Sequence, residues 1–108
     1  MKIQCRCGAL IVDQTDNLPH KAHVIPDQEW EGVLDAIDHA IERSGPGAQA
    51  KEAACMAVRT AIIRASRLAW QCRECGRLWM DDQRHEVHEL IPAGDSVPRE
   101  IFRTRPSA

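Results

Sequence analysis

The chain has 108 residues, five cysteines and a formal charge of −2 with its histidines neutral. That length allows one small domain with a modest core, a size at which a staple such as a structural metal is common. The near-balanced charge excludes a uniformly basic nucleic-acid binder. No apolar run reaches the length of a transmembrane helix, and the first residues carry no signal-peptide pattern, so a cytoplasmic location is expected.

Lys2 to Cys5 reads as a short strand, and Ala9 to Asp13 as its return partner in a small hairpin. Gln14 to Leu18 is polar and turn-rich, and His20 to Ile25 forms a further extended piece between Pro19 and Pro26. A first helix starts at Asp27, read as an N-cap whose carboxylate accepts from first-turn N–H groups. Trp30, Val33, Leu34, Ile37 and Ile41 fall on one stripe at helical spacing and are expected in the core. Ser44-Gly45-Pro46-Gly47 ends that helix, because glycine is favoured just past a helix and proline cannot continue one.

A second, alanine-rich helix is expected from about Gln49 to Ala69, with Cys55, Val58, Ile62, Ala65 and Ala69 along its apolar stripe. The two helices should form an antiparallel hairpin. Beyond Cys75, Arg77 to Met80 reads as a strand, Asp81-Asp82-Gln83 as a turn and Glu86 to Ile91 as a last strand. From residue 93 to 108 the chain is proline-punctuated and polar, and is expected to be a flexible tail.

Two short motifs carry the chemistry: Cys5-Arg6-Cys7-Gly8 and Cys72-Arg73-Glu74-Cys75-Gly76. Two cysteines at such spacing present both sulfurs to one ion, and four thiolates suit the closed tetrahedral shell of structural zinc. The glycine after each pair supplies the positive φ that a tight turn around a metal requires. In a reducing compartment paired cysteines favour metal over a disulfide, and the odd fifth cysteine, Cys55, agrees. The 64 residues between the motifs exceed the usual ribbon spacing, so this is a split site whose halves meet in space.

The expected cofactor is therefore one structural Zn2+ on Cys5, Cys7, Cys72 and Cys75. A catalytic zinc keeps an open position for water, and four thiolates leave none. The zinc deaminase pattern is absent, and His85-Glu86-Val87-His88 is not the metalloprotease H-E-x-x-H, so no enzyme and no small-molecule substrate are expected. His20/His23 and His85/His88 stand three apart on extended chain, facing opposite ways, and read as surface histidines. Cys55 reads as a small buried hydrophobe.

Charge is segregated along the chain. From Asp13 to Glu42 there are eight acids and one lysine, whereas Lys51 to Arg77 holds six bases and two acids. One reading is compensation between two packed helices. A second is that the first helix offers Glu31, Asp35, Asp38 and Glu42 to a basic protein partner. A third has Arg73 and Arg77 contacting phosphate while Trp70 and Trp79 stack on bases.

Cys5-Arg6-Cys7-Gly8, the run from Asp13 to His23, Ile25-Pro26-Asp27-Gln28-Glu29-Trp30 and the block from Cys72 to Trp79 together resemble a group of small, uncharacterised bacterial split zinc-ribbon proteins. The resemblance covers about residues 3–92. It implies a neighbourhood of secreted or contact-dependent toxin genes, and hence an immunity protein that binds and neutralises a cognate toxin. The expected fold is α+β: the small antiparallel sheet of a split zinc ribbon over residues 1–92, with an antiparallel two-helix hairpin inserted at about 27–69. The alternatives are a nucleic-acid-binding zinc ribbon and a structural subunit of a larger complex.

Overall fold

The computed structural model describes residues 1–105 and divides into two compact units. One consists of residues 1–23 together with the chain from Arg67 onward, and the other is Val24–Ser66. The class is α+β, with two antiparallel sheets and two helices.

In the first unit, β1 (Lys2–Gln4) and β2 (Leu10–Val12) form a hairpin in the register Lys2↔Val12, Ile3↔Ile11 and Gln4↔Leu10. A four-stranded sheet runs in the order β3 (Lys21–Val24), β4 (Arg67–Gln71), β5 (Leu78–Asp81) and β6 (Val87–Leu90). Ala69, Trp70, Gln71 and Cys72 are buried in succession, so the end of β4 is covered on both faces. Cys5, Ile11, Trp70 and Cys72 make the buried cluster, with Ile3, Ala9, Leu68, Cys75 and Trp79 packed against it. The cysteine motifs are thus part of the core they would staple.

The second unit is a packed helical hairpin, α1 (Asp27–Glu42) and α2 (Ala48–Ala65), joined by residues 43–47. A link of that length between packed helices leaves only the antiparallel arrangement. Asp27 is the first helical residue and makes no capping hydrogen bond; Pro26 holds the cap position and its carbonyl accepts from Glu29 N–H at 2.9 Å. The acids Asp27 and Glu29 still favour the positive end of the helix.

Two expectations about the helices need correction. The second helix stops at Ala65, because Ser66 is extended (φ −82°, ψ 146°) and its hydroxyl donates to Ile62 O at 2.6 Å. The next N–H groups find sheet partners instead: Leu68 N–H donates to Asp81 Oδ1 and Gln71 N–H to His20 O, both at 2.8 Å. Helix propensity is a weak prior, and here strand pairing overrides it.

The apolar stripe is also rotated. Of its members on α1 only Val33 is fully buried, while Trp30, Leu34 and Ile41 are 47%, 42% and 69% exposed. The buried face is instead built from Val33 and Ala40, with Ala36 and Ile37 half-buried beside them. Small residues on both helices let the two backbones approach, so alanines take the contact and the large side chains stand to one side. Cys55 is exposed rather than buried.

The predicted tail is tethered in part. Gln71 Nε2 donates to Pro98 O at 2.9 Å, and Ile101 N–H donates to Gln71 Oε1 at 2.9 Å. Residues 106–108 of that segment lie outside the described residues.

Candidate metal centre

Each cysteine motif folds as a knuckle on the same plan. In the first, Cys5 N–H donates to Ala9 O at 2.9 Å and Gly8 N–H to Cys5 O at 3.0 Å; in the second, Cys72 N–H donates to Arg77 O at 2.9 Å and Gly76 N–H to Cys72 O at 2.8 Å. The second cysteine of each pair directly precedes a glycine with positive φ, 98° at Gly8 and 83° at Gly76. C-x-C-G is therefore the C-x-x-C-G knuckle shortened by one residue, with the glycine and the returning carbonyl kept.

The two knuckles bring Cys5, Cys7, Cys72 and Cys75 together, their Sγ atoms all within 4.8 Å of one another. Cys5 Sγ lies 3.6 Å from Cys75 Sγ, and Cys7 Sγ lies 3.5 Å from Cys72 Sγ. Sulfurs about 2.3 Å from a tetrahedral zinc stand about 3.8 Å apart, whereas a disulfide needs about 2.05 Å. The observed spacing fits the metal and not a disulfide. All five cysteines are free thiols, and the four clustered ones can hold a metal ion.

The electrostatics of the site are uneven. Burial pushes the Cys72 thiol up to about 12, against hydrogen bonds from the backbone of Cys75 and Glu74. Burial also acts to raise Cys75, but the backbone and guanidinium of Arg77 and the thiols of Cys5 and Cys7 outweigh it and bring Cys75 down to about 6. Arg77 is in turn raised by its contact with the Cys75 sulfur. Glu89 on β6 anchors this cation at 3.2 Å and Arg6 of the first knuckle at 3.2 Å, joining the two halves across the sheet edge. A zinc on four thiolates carries net negative charge, and Arg77 stands where that charge would accumulate.

Trp70 is 1% exposed, opposite Trp79 in the β4–β5 register, and its Nε1–H donates to Asp13 Oδ2 at 2.9 Å. It belongs to the core and offers no stacking face. Asp13 also pairs with Lys21 Nζ at 2.8 Å, and this hydrogen bond, helped by Trp70, holds its carboxyl below the usual value. A carboxyl lowered on folding contributes stability above pH about 4, and the contribution fades as pH falls through the lowered value. At neutral pH, Asp13→Ala strands the buried Trp70 N–H and should lower stability by about 1–3 kcal/mol. Asp13→Asn, which keeps an acceptor oxygen, should cost less; thermal melts of the two variants check the order.

The histidines do not form a chelating set. His20 Nε2 lies 2.8 Å from Val12 O, and His88 Nε2 lies 2.7 Å from Asp82 Oδ2. Asp82, Glu86 and His88 do cluster, but Asp82 is occupied by the N–H groups of Arg84 and Glu86, and Glu86 and His88 are exposed. The acids Glu31, Asp35, Asp38 and Glu42 are all exposed on α1. Among the described residues none of them pairs with a base of α2, so the helices do not compensate each other through ion pairs. Sequence reasoning missed Gln71 altogether; a lone polar residue between Trp70 and Cys72 was the available signal.

Fold and site together define a small α+β protein with a tetracysteine cluster able to hold a metal ion. The chain belongs to the family described as "Domain of unknown function (DUF8617)", whose model matches residues 1–103. No curated protein and no solved structure matches it. Among the described residues no helix is long and apolar enough to cross a membrane.

Proposed function

We propose that this protein is a zinc-stapled binding protein without chemistry of its own, which acts by covering a basic surface on a partner protein. Zinc on Cys5, Cys7, Cys72 and Cys75 would have a closed shell, with no position for substrate or activated water. The ion would fix the fold and leave recognition to the surface.

The observation that carries the reading is the acidic outer edge of α1. Glu31, Asp35, Asp38 and Glu42 are exposed and free of ion pairs among the described residues. At helical spacing they share one side of the helix, opposite Val33 and Ala40. Such an edge raises the association rate with a cationic cleft and selects against acidic partners. Toxins acting on nucleic acids or nucleotides have clefts of that kind, and neutralisation of a cognate toxin is the specific role we assign. The cytoplasm is the compartment this role requires.

The test is co-purification with the cognate toxin, followed by affinity measurements on the double reversal Asp35→Lys/Glu42→Lys. We expect at least about a tenfold loss of affinity, carried mostly by slower association and diminished by added salt. Unchanged affinity and undiminished protection of cells from the toxin would rule out this edge as the contact surface.

A further inference from the structure

We infer that the helical hairpin is a homodimerisation module, its occupant a second copy of this chain with α1 of each copy lying on α2 of the other. Turning 100° per residue from the α1–α2 contact, Trp30, Leu34 and Ile41 all lie about 60–100° round on the same flank of α1. On α2 the same flank carries Ile62 and the exposed Cys55. In an antiparallel right-handed pair, flanks of equal rotation face the same way, so these side chains pave one broad face of the hairpin. The opposite face is a shallow groove lined by Glu29, Gly32, Ala61 and Arg64. Among the described residues the large apolar side chains of α1 are thus gathered on one face and left 42–69% exposed, and a contiguous exposed apolar face marks an interaction site.

Charge says what covers them. α1 holds six acids and no lysine or arginine, while α2 holds three bases and one acid. Asp27 and Asp38 border the apolar flank of α1; Lys51 and Arg59 border that of α2. None of these four makes an ion pair among the described residues. A surface with one negative and one positive helix is complementary to itself under a twofold axis, which sets each acidic helix on the partner's basic one. Asp38 stands where this seam meets the acidic edge, while Glu31, Asp35 and Glu42 face away from the contact between the helices and remain free, so this inference does not depend on the proposed function.

Sedimentation equilibrium of the zinc-loaded full chain should give twice the 12.1 kDa chain mass at about 100 µM. Leu34→Lys/Ile41→Lys should be monomeric at that concentration, with unchanged helix content and zinc content because both side chains are already exposed. Asp27→Lys/Asp38→Lys and Lys51→Glu/Arg59→Glu should each be monomeric alone, and an equimolar mixture should recover the dimer. A monomeric wild type would overturn the inference and assign the face to a different occupant. So would a dimer that survives Leu34→Lys/Ile41→Lys, an open series of larger oligomers, or charge variants that still self-associate separately.

Discussion

Cys72→Ser is expected to abolish zinc binding and unfold the unit that contains both knuckles. Cys72 is 1% exposed and sits in the same buried cluster as Cys5, Ile11 and Trp70. Serine removes a thiolate and leaves a hydroxyl facing three sulfurs in an apolar surround. The apparent binding free energy of a structural zinc is about 10–16 kcal/mol, comparable with the whole stability of a small domain, about 5–15 kcal/mol. Most of the fold of this unit should therefore depend on the ion. The variant should contain well under one zinc per chain and lose the near-ultraviolet signal of Trp70 and Trp79. Chelation of the wild type should produce the same spectrum. Acidification should do so too: holding the ion needs Cys72 deprotonated although burial lifts its thiol to about 12, so protons compete for it as pH falls. A chelated wild type and a Cys72→Ser variant that both remain as stable as the untreated protein would remove the metal from the account.

Much of this architecture can be read from residue order, and the places where it cannot share a cause. The β1–β2 hairpin, the later strands, the helical hairpin and the cysteine pairs rest on local signals: alternation, glycine after cysteine, a glycine-proline link. The errors fall where a long-range partner decides. Leu68 and Ala69 continue a helical stripe until Asp81 and the sheet claim that backbone. Trp30, Leu34 and Ile41 keep perfect helical spacing, but periodicity says which residues share a face and not which face is covered. The Cys55 error has the same origin. Gln71 left only one local signal, a polar residue between Trp70 and Cys72, because its importance lies in groups 5 to 30 residues distant.

Gln71 carries the second large expected effect. Its side chain is buried, 1% exposed, and joins three backbone groups from two segments. Nε2 donates to Gly76 O at 3.2 Å and to Pro98 O at 2.9 Å, while Oε1 accepts from Ile101 N–H at 2.9 Å. Gly76 is the turn residue of the second knuckle, and a Cβ there would stand 3.4 Å from Pro92 Cγ and 3.5 Å from Arg99 Cγ. The segment from Pro92 to Ile101 therefore closes directly over the knuckle, with the Gln71 amide as its tie. Gln71→Leu fills the space but leaves two carbonyls and an N–H without a partner, at about 1–3 kcal/mol for each that stays dry. We expect a loss of about 2–4 kcal/mol, zinc retained, and faster amide exchange confined to residues 98–101 and the second knuckle. Gln71→Glu should be no better at neutral pH: it keeps the acceptor for Ile101 but turns both donated bonds into oxygen–oxygen repulsion. Wild-type melting of Gln71→Leu with Ile101 still protected would show that the segment is held by packing alone, and that the amide merely occupies a site the core would have closed without it.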